Sequence, residues 1–237
     1  MKTLLRHTLA LCLAVPALAA AVPAFADDAS AANSAPEGKW QVKLLATAVI
    51  PSGKISTIEG TTLTGPLVAA PQTYASDNAF TPTLAIEYFV LPNVSLETIA
   101  GITAHHVNGS GSLAGTSLVS HILIVPATLT VKYHIPLGPI RPYVGVGPSL
   151  YLVTGERPGD SAVGLGVTKV SMTSNLGVAA QAGVDIPIGK TGYGLSFDAK
   201  KYWVDTTAKF YAGSTDVLAT KHKLDPWVLS AGVSYRF

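Results

Sequence analysis

From Trp40 to Phe237 the chain alternates apolar and polar side chains with period two, in eight separate segments. Outside the first 26 residues it holds no apolar run of the length a membrane-crossing helix needs. The segments are 40–50, 81–90, 94–106, 127–135, 141–153, 175–186, 193–206 and 226–237. In 127–135, Ala127, Leu129, Val131, Tyr133 and Ile135 share one face, and Thr128, Thr130, Lys132 and His134 the other. Each segment matches the ~9–11 residues of a tilted membrane strand or slightly exceeds them.

Composition narrows the choice. The chain is 48% hydrophobic and only 13% charged, which excludes a disordered chain. Its 22 glycines and 16 prolines punctuate it throughout, which excludes long helices. Two classes remain: a soluble β protein with an apolar core, or a membrane β-barrel.

Residues 1–26 read as a secretory signal peptide. Lys2 and Arg6 form a positive start, 9–21 an apolar stretch, and Ala24-Phe25-Ala26 a small-x-small cleavage site. Without them, the 16 basic residues lose two, leaving 14 against 14 acids, so no excess charge points to nucleic acid. The single cysteine, Cys12, leaves with the same segment. Residues 27–38 are small and polar and read as a flexible periplasmic tail, so that 39–237 is the folded domain.

The connections select the membrane class. Segments 51–80, 107–126, 154–174 and 207–225 are long loops; 91–93, 136–140 and 187–192 are short turns. Long and short alternate strictly, as in hairpin barrels with long extracellular loops and tight periplasmic turns. Trp40, Tyr133, Tyr193, Tyr235 and Phe237 fall at one set of strand ends, and Phe80, Tyr151, Trp203 and Trp227 at the other, as two aromatic girdles would. The expected fold is all-β: an eight-stranded antiparallel transmembrane up-and-down β-barrel in a bacterial cell outer membrane. The terminal pair Tyr235 and Phe237 reads as an assembly signal, with the barrel-assembly machinery and outer-membrane lipid as partners.

The stretches GKWQVKLLATAVIPSGK, TPTLAIEYFVLPNVSLETIAGIT, LTVKYHIPLGPIRPYVGVGPSLY and LDPWVLSAGVSYRF resemble the OmpW family of small outer-membrane barrels. Alkane-uptake proteins are similar to that family. The resemblance implies an eight-stranded barrel that passes small hydrophobic solutes, with no catalytic motif and no cofactor.

An eight-stranded barrel is only wide enough for its own side chains. Alternation turns Lys43, Glu87, Glu97, Lys132, Arg141, Asp185, Asp198 and Arg236 inward, toward the periplasmic side, where they would pair into a plug. Above it Leu45, Val49, Ala85 and Tyr151 would line a hydrophobic pocket. A solute halted by the plug would leave sideways into the bilayer. Pro148 is the candidate lateral gate, because proline cannot donate to a ladder; the competing reading has it end its strand. In 193–206, strict alternation sends Lys201 toward lipid, so either it snorkels or a bulge shifts the phase. Catalysis and metal binding are not expected: 107–126 holds His121 and several serines but no acid, and the adjacent His105 and His106 point to opposite faces. The alternative function is a structural, receptor or adhesion barrel acting through its loops. Ile55, Ile58, Leu63, Leu67 and Val68 make 51–80 look more like a pocket wall than a solvated tip.

Overall fold

The computed structural model describes residues 38–50, 52, 54–61, 72–76, 79–110 and 114–237. The signal peptide, nearly all of the tail, and Leu63, Leu67 and Val68 lie outside the described residues. The strands are β1 (Trp40–Ile50), β2 (Lys54–Thr61), β3 (Gln72–Ser76), β4 (Ala79–Leu91), β5 (Val94–Ala100), β6 (Thr103–Ser110) and β7 (Ser117–His134). After them come β8 (Arg141–Pro158), a single helical turn α1 (Asp160–Gly164), β9 (Lys169–Met172), β10 (Asn175–Pro187), β11 (Tyr193–Trp203), β12 (Asp205–Ala212), β13 (Thr215–Lys223) and β14 (Trp227–Arg236).

Eight of these strands close a barrel in the antiparallel order β1-β4-β5-β7-β8-β10-β11-β14, with β14 returning to β1. The closing ladder runs without a shift from Gln41 opposite Arg236 to Ile50 opposite Trp227. Short turns at 92–93, 135–140 and 188–192 join the strands at one end, as the sequence predicts. The period-two pattern has a direct physical result. Leu44, Leu84, Leu129, Val146, Val178 and Val233 are exposed on the outer wall, while Lys43, Thr83, Thr128, Thr130 and Ser234, which alternate with them, are buried in the bore. Trp40, Tyr133, Tyr193, Tyr235 and Phe237 are exposed at the turn end, and Phe80, Trp203 and Trp227 at the other. Tyr151 departs from the expected girdle: it is in phase with the bore and is buried.

The four long loops are the larger correction. Much of each is strand. β7 and β8 run for 18 residues apiece, well past the ~9–11 a membrane crossing needs. Beyond the barrel the outer strands separate into two packed layers. One continues the barrel sheet through β3, β6 and the outer halves of β7 and β8; the other is a four-stranded sheet, β2-β13-β12-β9. Val119, Ile122, Val170, Met172, Phe210 and Leu218 form a dry core between them, with Ile58 packed against it. Register shifts around Val119, His121 and Leu123 explain why the pattern is hard to read there: each bulge moves the next side chains to the other face.

The wall is tight where small residues oppose large ones. Gly183 pairs with Tyr143 across β10 and β8, and a Cβ on Gly183 would lie 2.4 Å from both the Tyr143 hydroxyl oxygen and the Phe197 carbonyl. Tyr143 thus lies across the glycine. Gly183→Val should cost about 1–3 kcal/mol by overpacking, read as a lower urea midpoint for the refolded barrel in detergent or vesicles. In the outer layer, burial pushes the His222 imidazole down to about 4. The unfolded chain binds the proton first, so stability is complete above about 6.5 and is lost as pH falls toward 4. Protection of 215–223 against hydrogen exchange should drop between pH 7 and 4.5 in the native chain, and much less in His222→Gln.

Candidate functional site: a plugged bore beneath an apolar chamber

Seven barrel strands send charged or hydrogen-bonding side chains to one height of the bore. Lys132 on β7 places Nζ 3.0 Å from Glu87 Oε2 of β4 and 2.8 Å from Glu97 Oε2 of β5. Lys43 on β1 lies 2.9 Å from the same Glu87 oxygen, 3.2 Å from Glu97 and 3.2 Å from Asp185 of β10. Lys200 on β11 bridges Glu97 at 3.2 Å and Asp198. His134 Nε2 is 2.7 Å from Glu87 Oε1, Ser196 donates to Asp185, and Gln181 Nε2 donates to Thr130 Oγ1 at 3.1 Å.

Tyr143 on β8 completes the layer. Its hydroxyl donates to Asp198 at 2.9 Å, and its ring lies 3.7 Å from Lys132 Nζ and 4.9 Å from Lys43 Nζ. Glu87 and Lys132 are wholly buried, and Lys43, Lys200 and Glu97 nearly so. In a narrow bore such charges persist only when each is paired and hydrogen-bonded. Every one of these groups has such a partner.

Six of the eight residues expected in the plug meet here. Arg141 and Arg236 do not: both are half-buried and line a shallow recess at the turn end beside Asp185. There Arg236 Nε donates to the Gly38 carbonyl at 2.8 Å and its guanidinium stacks on Phe89. Lys200 belongs to the plug and was not among the expected members, although the alternation of 193–206 points it inward.

Above the plug lies a chamber of about 680 Å³, counting its space open to solvent. The surface it presents is almost wholly apolar. Its floor is Tyr151 against Tyr202, edge to face with ring centres 5.4 Å apart, and Ile99. Leu45 and Ala85, expected on the lining, instead pack with Ile99 beneath it; Val49 and Tyr151 line it as expected. Val228 and Val49 form one wall, Ile124 and Pro126 of β7 the facing one, and Leu224 and Pro226 stand where β13 leads into β14.

The remaining wall, Thr81, Thr83, Gly101 and Thr103, is an interrupted seam. The β4–β5 ladder ends with Leu84 opposite Ala100. Beyond it Gly101 and Ile102 leave strand geometry, and Pro82 has no amide hydrogen to donate. The Thr81 hydroxyl donates to the Ile102 carbonyl at 2.9 Å and holds the two edges together. Pro148 lies elsewhere. It sits opposite Val178 in the unbroken β8–β10 register, and on its other side β7 and β8 keep one register from Thr128–Ser149 to Val131–Val146. Lys201 faces out without any shift of phase; its amine donates to the Asp225 carbonyl and lies 5.4 Å from the Trp227 ring, so it snorkels.

A closed eight-stranded barrel with an apolar outer belt, two aromatic girdles and a salt-bridged bore defines a small outer-membrane barrel protein. Comparison with known proteins agrees. Residues 36–237 match the OmpW family, and the chain belongs to it. It is 30% identical to an uncharacterized outer-membrane protein, y4mB, of Sinorhizobium fredii, over 84% of this chain and 80% of that one. It is 28% identical to outer membrane protein AlkL of Ectopseudomonas oleovorans, over 68% and 67%. Among solved structures, the outer membrane protein OprG of Pseudomonas aeruginosa superposes with a TM-score of 0.75 at 21% identity, covering 86% of this chain and 98% of that one.

Lys132 and Lys43 are both shared by Glu87 and Glu97, which lie opposite each other on the adjacent strands β4 and β5, so Lys132→Met leaves two neighbouring buried carboxylates with Lys43 as their one common cation. It should cost about 3–5 kcal/mol in equilibrium unfolding from lipid vesicles. Lys132→Met combined with Glu87→Gln should recover part of that loss.

Proposed function

We propose that this barrel passes small hydrophobic molecules through the outer chamber and releases them sideways into the bilayer. The observation that carries the reading is the position of the chamber. Beneath it lies a continuous ion-paired plug, and beside it lies a stretch of barrel wall held by a side chain instead of a ladder. An apolar solute gains by leaving water for the chamber, at roughly 25 cal/mol per Å² of apolar surface buried. Crossing the plug would require it to separate ion pairs that have no water to fall back on. Leaving between β4 and β5–β6 requires only the Thr81–Ile102 hydrogen bond to open, worth about 1 kcal/mol.

The passage involves no chemical step and no cofactor. The closing strand enters the same proposal as the handle of the barrel-assembly machinery. Tyr235 and Phe237 are exposed on it and stacked at 5.7 Å, and Phe237 exchanges backbone hydrogen bonds with Trp40.

The test is a crosslink across the seam. A Cβ on Gly101 would lie 3.8 Å from the Thr83 Cβ, the spacing of a disulfide. Thr83→Cys combined with Gly101→Cys, on a chain whose only cysteine is Cys12, should form one. Oxidised protein in vesicles should take up n-octane no faster than protein-free vesicles, and reduction should restore uptake. Sucrose should not enter in either state. Unchanged octane uptake by the oxidised protein would move the exit away from this seam, with Pro148 the next position to examine.

A further inference from the structure

The outward face of the β2-β13-β12-β9 sheet carries a lysine from every strand. Residues directly opposite in an antiparallel ladder project to the same side. Lys54 lies opposite Lys223, which lies opposite Asp205; Lys221 lies opposite Thr57 and Thr207. Further out, Lys209 lies opposite Ser171, and Lys169 opposite Tyr211. The alternate residues Thr206, Ala208, Phe210, Thr220 and His222 are buried, so the lysines stand on the side away from the core. Three acids share this sheet: Asp205, Asp216, which is 3.8 Å from Lys209, and Glu59, opposite Ala219 in the ladder. The other outer layer has no lysine in β3, in β6 or in the outer halves of β7 and β8.

Height gives the face its meaning. Trp203 and Trp227 are exposed at the end of the apolar belt. Asp205, level with Lys223 and Lys54, is two residues beyond Trp203, about 7 Å along the strand. Lys201, within the belt, turns its amine outward to the Asp225 carbonyl. The lysines therefore begin where lipid tails give way to headgroups, on one side of the barrel only.

We propose that this face binds the phosphate groups of outer-leaflet lipopolysaccharide, with Lys54, Lys221 and Lys223 as its lower, membrane-proximal row. Basic residues at a membrane surface attract anionic headgroups, by roughly fivefold in affinity per lysine at low salt. A lipid held on this side also sits against β1, β14 and β11, with β4 between it and the β4–β5 seam.

The experiment uses the full chain refolded in detergent and mixed with bisphosphorylated lipid A or with the same lipid after removal of both phosphates. Lipid retained per barrel is counted by mass spectrometry at low and high salt. The native protein should retain the phosphorylated lipid preferentially, and salt should reduce the difference. Lys54→Gln/Lys221→Gln/Lys223→Gln should retain it at least about tenfold less. The same three positions changed to arginine should retain it, and Lys190→Gln at a periplasmic turn should not alter it. Equal retention of the two lipids by the native protein, or equal retention by the native and triple-glutamine proteins, would overturn the proposal. Migration of the unheated variant as a folded barrel on a gel separates loss of binding from loss of fold.

Discussion

Lys43, Lys132 and Lys200 reach into a bore whose wall is a closed sheet and whose outside is lipid. Water cannot reach them in quantity, so their charge must be met by Glu87, Glu97, Asp185 and Asp198 at contact distance. Much else in the barrel is arranged to hold these groups at one level. The uninterrupted β1–β14 register brings Lys43 to its height, Gly183 makes room for Tyr143, and the Tyr143 ring lies beside two ammonium groups. A hydrophobic plug of equal volume would be at least as stable. What the ion pairs would add, on the proposed function, is a boundary that an apolar molecule has no favourable way to cross.

In the proposed passage, that boundary sets the direction of the chamber. The outer sandwich packs its own core above the barrel, and the Tyr151–Tyr202 pair floors the chamber from below. Between them, the β4–β5 ladder is interrupted at Pro82, Gly101 and Ile102. The chain interrupts a ladder in part of the wall that faces the cavity and keeps its ladders at the level of the ion pairs.

Much of this was legible in the sequence. Period two, the alternation of long and short connections and the aromatic ends were enough for an eight-stranded barrel, because one face of each strand meets lipid and the contrast with the bore is strong. The same rule turned inward six side chains that meet in one ion-paired layer. It was less informative where that contrast fades. In 117–126 Leu118 and Val119, and then Ile122 to Val125, run consecutively without polar alternation, and bulges shift the phase, so strand looked like loop. Arg141 and Arg236 obey the alternation but sit at the mouth, because periodicity reports the face and not the depth. The seam at Gly101 was invisible for another reason: a missing ladder is a relation between two strands, and Pro82 and Gly101 lie 19 positions apart.

The spacing of the plug residues along the chain has a consequence for how the barrel comes into being. Lys43 and Asp185 are 142 positions apart, and Lys200 and Glu97 are 103 apart. Such contacts are the last a growing sheet can make. An open sheet missing one hairpin would present unmatched lysines and carboxylates along its bore side, and these would hold it at the aqueous boundary. Once β14 zips onto β1, the long-range partners such as Lys43 and Asp185 meet, and the same groups oppose reopening. On the proposed function, the ion pairs that would close the bore to solutes would also act as a ratchet on insertion, because the long-range pairs made at closure oppose its reversal.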